Sequence, residues 1–331
     1  MRRIAVDAMG GDNAPASIVQ GVVKAVKRAK EKFEVILVGD KNHIDEELKK
    51  CNFNSSVIPV IHASETIEMY ESPTEALKKK VNSSIHLLTR LMKNKEVDGI
   101  ISAGNTGAYS ASCLLTIGKI EGVKRPTIGS FIPCEKGIGF LLDVGANPEC
   151  KPVYLLQFAI MGSIFVECML NRKNPRVGLL NIGEESSKGN ELSIEVHKLL
   201  KESSLNFIGN IEGRDILKGT ADVVVCDGFV GNIILKYTES FFDIFREKLK
   251  KKIGKNPRTR FGLFLLSPAL KKIMKEFDYQ EYGGVPLLGI NGVAIICHGN
   301  SSPKAIMNAI ERADLMIERK INEHIGERIV G

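Results

Sequence analysis

One pattern constrains this chain more than any other: a short β-branched or apolar run, a loop of Gly, Asn, Asp and Ser, then an amphipathic helical stretch, recurring at least six times. The six openings are "RRIAVDAMGGDNAP", "VDGIISAGNTGA", "GIGFLLDVGANP", "RVGLLNIGEESSKGN", "DVVVCDGFVGN" and "GVAIICHGNSSP". Parallel strands cannot be joined by a tight turn, so each return needs a crossover, and the crossover lays a helix over the sheet. The expectation is therefore an α/β protein whose mainly parallel sheet is covered on both faces. In such sheets ligands collect beyond the carboxyl ends of the strands, where all six polar loops stand. No repeat of fixed period and no low-complexity linker divides the chain, so residues 1–331 are expected to form one domain.

Spacing places the helices. After Ser193 the apolar residues Ile194, Val196, Leu199 and Leu200 make one stripe, with Lys198, Lys201 and Glu202 on the wet side. Ser302 followed by Pro303 offers an N-cap and a first-turn proline. Two further helices are expected to form an arm inserted at about 236–280. One covers 232–253, with Tyr237, Phe241, Ile244, Phe245, Leu249 and Ile253 on a stripe. The other starts at Ser267 and Pro268, with Leu270, Ile273, Met274 and Phe277 on one face. These stripes would pack on each other or on a second subunit.

The arm is also where the charge lies. The chain carries +7 overall, yet eleven Lys or Arg and a single acid fall between Arg246 and Lys275, a local excess of ten that leaves the rest at −3. Such a run is either a solvated helical face or a docking surface for an acidic protein or an anionic membrane, and the adjacent "FGLFLL" (261–266) favours docking. With 44% hydrophobic residues the chain can bury a large core, and a folded rather than disordered chain is expected. No apolar run looks long enough to span a bilayer, and "MRRIAVDAMGG" is too short for a secretory signal, which points to the cytosol. Seven scattered cysteines without a C-x-x-C pair read as reduced thiols.

The loops carry the chemistry. "SAGNTGA" (102–108) has the form of an anion-binding turn: Gly104 and Gly107 bracket Asn105 and Thr106, whose side chains add donors at a helix start. It lacks a Walker lysine, and no dinucleotide fingerprint, nucleophile elbow, H-E-x-x-H or metal-spaced cluster occurs. His43, His62, His86, His197 and His324 fall in surface helices or linkers. His298 differs, since it follows the strand "VAII", precedes Gly299 and points to the ligand face. Cys297 beside it faces the other way on an extended chain, so the two do not readily form a nucleophilic pair.

Taken in order, "DAMGGDNAP" (7–15), "SAGNTGA" (102–108), "RPTI" (125–128), "LLDVGAN" (141–147), "QFAIMG" (157–162), "PRVGLLNIGEESSKGN" (175–190), "CDGFVGN" (226–232) and "GGVPLLGINGVAIICHGNSS" (283–302) strongly resemble the phosphate acyltransferase family of bacterial phospholipid synthesis. The likeness covers nearly the whole chain. It departs at "KKKVNSS" (78–84), where an arginine-led stretch is usual, and at Val285 in place of alanine. The resemblance implies a three-layer α/β/α sandwich similar to the isocitrate and isopropylmalate dehydrogenases, with a protruding helical arm. It implies transfer of a long acyl chain from acyl carrier protein to inorganic phosphate, for use by a membrane-bound glycerol-3-phosphate acyltransferase. It further implies a cytoplasmic, peripherally membrane-associated homodimer, with no cofactor, no metal and no nucleic acid.

Phosphate brings its own negative oxygen, so such a site needs positioning and oxyanion stabilisation rather than an enzyme nucleophile. Lys188 is expected to supply the cation. Asn105, Thr106 and Asn232, with Gly107 and Gly231, are expected to hold phosphate or the thioester oxygen, and His298 to donate to the oxyanion or the departing sulfur. Each has a plainer alternative: Lys188 as a surface lysine, Asn232 as a helix cap, His298 as a turn residue. Asp143 and Asp227 would fix loop geometry. Lys251, Lys255, Arg258, Arg260, Lys271, Lys272 and Lys275 would steer an acidic carrier, while Phe264 and Leu265 would line the acyl route or enter the membrane surface. The competing readings are a short-chain phosphotransacetylase using coenzyme A and a non-catalytic acyl- or membrane-binding protein.

Overall fold

A computed structural model describes residues 1–29, 32–253, 265–270 and 279–330. The chain runs β1 (Arg2–Asp7), α1 (Ala16–Ala29), β2 (Phe33–Gly39), α2 (Lys41–Lys50), β3 (Val60–His62), α3 (Pro73–Lys79), α4 (Ser84–Lys93), β4 (Gly99–Ser102) and α5 (Thr106–Ser112). It continues through β5 (Thr127–Cys134), β6 (Gly137–Leu142), α6 (Pro152–Leu170), β7 (Val177–Leu180), α7 (Glu191–Glu202), β8 (Phe207–Ile211), α8 (Gly213–Lys218), β9 (Val223–Val225) and α9 (Gly228–Ile253). A short helical stretch over 265–270, α10, then β10 (Val285–Leu288), β11 (Val293–Ile296), α11 (Pro303–Glu318) and α12 (Ile321–Val330) complete it.

Eleven strands form one sheet in the order β3-β2-β1-β4-β11-β10-β5-β6-β9-β7-β8. Successive side chains of a strand face opposite ways, and the core divides accordingly. Ile4 and Val6 of β1 join one buried cluster with α1, α6, α11 and α12, while Ala5 between them joins another with α4 and α5. Helices thus cover both faces, as the α/β/α expectation requires.

The sheet is not uniformly parallel. β11 pairs antiparallel with β10, β10 with β5, and β5 with β6. The half containing β1, β4 and β11 therefore runs opposite to the half containing β6, β9 and β7. The six polar loops split into two sets of three that leave the sheet in opposite directions, which the sequence did not reveal. A stagger brings them back together. Ile128 stands opposite Leu287, Leu287 opposite Ala294, and Ala294 beside Ile100; on the next rung Gly129 stands opposite Leu142. The last residue of β6 therefore lies only one rung beyond the level of Ile100, near the end of β4.

Several local expectations shift. α7 begins at Glu191, two residues before Ser193, because Asn190 caps it by accepting from the Ser193 N–H at 2.9 Å; Val196 and Leu200 are fully buried as the stripe required. Ser302 caps α11 by accepting from Ala305 N–H, with Pro303 in the first turn. Among the described residues one helix, α6, is long and apolar enough to cross a membrane by length and composition. The sequence reading did not mark it, since Gln157 and Glu167 interrupt the run. Its Leu155, Phe158, Ala159, Ile164, Phe165 and Val166 are buried under the sheet, which makes it a core helix here.

The first arm helix, α9, starts at Gly228 rather than 232 and spans 26 residues, about 39 Å at 1.5 Å per residue. Asp227 accepts from Val230 N–H at 2.8 Å and so takes the cap position, which rules out a capping role for Asn232. Of the expected stripe, Tyr237, Phe241, Ile244 and Phe245 are exposed and lie away from the body. The face turned inward carries Asn232, Leu235, Glu239 and Phe242 instead. α10 already includes Leu265 and Leu266, so Ser267 is not its cap.

Candidate active site

Two buried carboxylates build the two halves of the site. In the first half, Asp7 ends β1 and accepts from Ser102 Oγ at 2.7 Å and Met9 N–H at 3.1 Å. Ser102 Oγ in turn accepts from Gly104 N–H at 3.0 Å, so the carboxylate shapes the 102–108 turn through one hydroxyl. Burial pushes the Asp7 pKa up, against the pull of these hydrogen bonds. The two loops touch at their backbones: a Cβ on Gly10 would lie 2.5 Å from Gly104 N. The third loop joins them where Asp12 N–H donates to Gly299 O at 2.8 Å.

In the second half, Asp143 follows β6 and is fully buried. It accepts from the backbone N–H groups of Ile128, Gly145, Ala146 and Asn147, and from Asn147 Nδ2 at 2.8 Å. α9 sits directly on this turn. A Cβ on Gly231 would lie 1.8 Å from Asp143 O, Gly228 N–H donates to Asn147 O at 2.8 Å, and Gly145 faces the Asn232 side chain. Asp143 and Asp227 thus both shape backbone, one the loop and the other the helix start.

Between the halves lies a cavity of about 390 Å3. Thr106 and His298 line it from the first half and Asn232 from the second. Its apolar wall includes Ile128, Phe131, Ile132, Val144, Leu235 and Phe242. Volume and lining suit a ligand with an apolar body and a small polar group. His298 Nδ1 accepts from Asn300 N–H at 3.2 Å, so the neutral ring carries its proton on Nε2 and is a donor there.

The sequence comparison identifies the chemistry. The family described as fatty acid synthesis protein matches residues 2–324. A phosphate acyltransferase from Thermoanaerobacterium thermosaccharolyticum is 48% identical over 327 residues, covering 99% of this chain and 96% of the relative. A phosphate acyltransferase from Desulfitobacterium hafniense is 49% identical, with 99% and 97% covered. The chain belongs to the phosphate acyltransferase family. It is an acyltransferase. Solved structures with the same fold include a phosphotransacetylase from Streptococcus pyogenes (TM-score 0.62, 18% identity, 96% of this chain and 94% of that one). A branched-chain phosphotransacylase from Enterococcus faecalis is equally similar in fold (TM-score 0.61, 14% identity, 96% and 99% covered).

In this acyltransferase the residues singled out in the sequence do not all meet. Thr106, Asn232 and His298 share the cavity. Asn105 is occupied elsewhere: its Oδ1 caps α5 by accepting from Ala108 N–H at 3.0 Å, and its Nδ2 donates to the carbonyls of Glu68, Met69 and Glu71. Gly107 packs against Pro73, and Gly231 against Asp143. Lys188 is exposed on the loop after β7, two strands from β6, and is not part of the cavity wall. Lys236, which sequence reasoning missed, does line the cavity. Its signal was the four-residue spacing from Asn232, which puts the two on one side of the helix.

Cys297 also reaches the cavity wall but is buried, donates to Gly283 O at 3.2 Å and has its pKa pushed up to about 12 by burial, so it stays a neutral thiol. Of the docking residues, Lys251 is exposed and pairs with Glu247 at 3.3 Å, and Leu265 is exposed. Lys255, Arg258, Arg260, Phe264, Lys271, Lys272 and Lys275 lie outside the described residues.

Proposed function

We propose that this acyltransferase moves a long-chain acyl group from acyl carrier protein to inorganic phosphate, in the cytoplasm and in transient contact with the membrane surface. The observation that carries the reading is the two-sided cavity. Its apolar wall suits a chain in which each buried methylene contributes about 0.8 kcal/mol. Its polar wall of Thr106, Asn232 and His298 offers donors but no activated nucleophile, which fits a substrate that is its own nucleophile. A phosphate oxygen attacks the thioester carbonyl and forms the C–O bond, and the tetrahedral oxyanion collapses with cleavage of C–S. The electron pair leaves on sulfur, and the proton of HPO4²⁻ ends on the thiol, which balances the step without a cofactor.

The rest of the reading follows from the arm. Its basic residues receive the acidic carrier, "FGLFLL" contacts the lipid surface, and the acyl phosphate passes to a membrane-bound glycerol-3-phosphate acyltransferase. The working unit is a homodimer, with the catalytic body and the arm at about 236–280 in one domain.

Two measurements test this. Purified enzyme given a long-chain acyl-carrier thioester should release free thiol only when phosphate is added, and should turn over acetyl-CoA far more slowly. Equal use of acetyl-CoA would replace the long-chain reading with a short-chain one, and thiol release without phosphate would overturn the reaction itself. For the membrane contact, changing both Phe264 and Leu265 to Asp should abolish flotation with anionic liposomes. Unchanged flotation would remove the loop from that role.

A further inference from the structure

The reaction proposed above brings a dianion into the cavity, and a dianion needs a cation at its binding point. Lys188 was the sequence's candidate, and the fold puts it outside the cavity wall. Among the described residues the wall contains one Lys or Arg, Lys236. We infer that the Lys236 ammonium is the phosphate-binding group of this site, an inference that rests on phosphate being the acyl acceptor.

Three observations support it. Lys236 follows Asn232 by four residues on α9, so the two share one side of the helix, about 6 Å apart along its axis. The start of that helix is fixed by the Asp227 cap and by the contact of Gly231 with Asp143 O. Second, Lys236 forms no ion pair with any described residue, unlike Lys80, whose ammonium is held at 2.6 Å by Glu71. Third, the wall also carries two carboxylates, Asp12 and Glu239, which would repel an incoming dianion. A positive group within the same wall is the element that lets phosphate enter. Asn232 and Lys236 stand in the first turns of the inward face of α9 and Phe242 ten residues beyond Asn232, about 15 Å along the axis, with Leu235, Thr238 and Glu239 between. Phosphate belongs at its first turns, and the acyl chain runs toward Phe242.

The test is steady-state kinetics of Lys236→Gln and Lys236→Arg with phosphate and acyl-carrier thioester varied separately, beside Lys188→Ala. Lys236→Gln should raise the KM for phosphate about 10- to 100-fold, the loss typical when a charge-assisted hydrogen bond is removed, with the KM for thioester changed less than about threefold. Lys236→Arg, which keeps the charge, should recover most of the loss, and Lys188→Ala should stay within about threefold of the unaltered enzyme. An unchanged phosphate KM in Lys236→Gln, or an equal rise for both substrates, overturns the assignment. If instead the unaltered enzyme releases thiol without phosphate, it is the reading of the reaction that fails. Lys236 is exposed, so matched thermal unfolding of the variants is expected, and a large drop in melting temperature with loss of both KM selectivities would also count against a binding role.

Discussion

His298→Ala is expected to lower kcat/KM for phosphate-dependent thioester cleavage by about 10² to 10³, the usual loss of one oxyanion-type donor. The hydrogen bond from Asn300 N–H to Nδ1 fixes the neutral ring as the Nε2–H tautomer, and the residue lines the cavity that also holds Thr106 and Asn232. His298 is exposed, so truncation should cost little stability, and the loss should appear in kcat rather than in melting temperature. His298→Gln separates the roles. A glutamine amide nitrogen can stand near the position of Nε2 and should restore part of the rate, whereas a residue that only stabilised the 298–302 turn would be rescued better by asparagine, whose oxygen can replace Nδ1. Near-normal kcat/KM in the alanine variant would sink the donor role.

Much of the architecture was legible because it depends on local periodicity. The six strand–loop–helix units, the cap at Ser302 and the stripe of α7 are each written within a dozen residues, and all stand in the fold. What the sequence hid depends on pairing between distant segments. Nothing in "TIGSFIPC" or "VPLL" announces that β5 and β10 pair antiparallel with their neighbours and reverse the direction of half the sheet. That reversal decides which loops face the cavity. Strand order within that half then leaves Lys188 on the loop after β7, two strands from β6, while α9 follows the neighbouring β9 and brings Lys236 to the cavity wall. Asn105 shows the same limit at the scale of one side chain. Its position in a glycine turn suggested a ligand donor, but three carbonyls of residues 68–71, more than thirty positions away, take its amide hydrogens. The inward face of α9 was not legible for a third reason: periodicity picks out the bulkier stripe of Tyr237, Phe241, Ile244 and Phe245, expected to pack on the second arm helix or a second subunit, whereas the cavity wall uses a mixed face that includes Leu235 and Phe242.

Gly231→Ala should lower both stability and turnover, because it moves the platform that carries several polar side chains. Gly231 lies inside α9, and on intrinsic propensity alone alanine would stabilise a helix there by up to about 1 kcal/mol. Tertiary packing reverses the sign. The added Cβ would stand 1.8 Å from Asp143 O and 3.0 Å from Cys226 Sγ, and the first of these is backbone held by a turn in which Asp143 accepts four main-chain N–H bonds. Neither side can give way cheaply, so α9 must lift, at a cost of about 1 to 3 kcal/mol or more. Lifting it displaces Asn232 and Lys236 together, and an error of about 1 Å in a reacting geometry can cost about 10² in rate. The variant should therefore unfold several degrees lower and lose at least about 10² in kcat/KM. Gly213→Ala serves as the control: it sits at the start of α8, and a Cβ there meets nothing within 4 Å, so it should leave both quantities nearly unchanged. A Gly231→Ala enzyme with normal melting and normal turnover would show that α9 does not rest on the Asp143 turn, and would remove the geometric basis for placing Asn232 and Lys236 in the site.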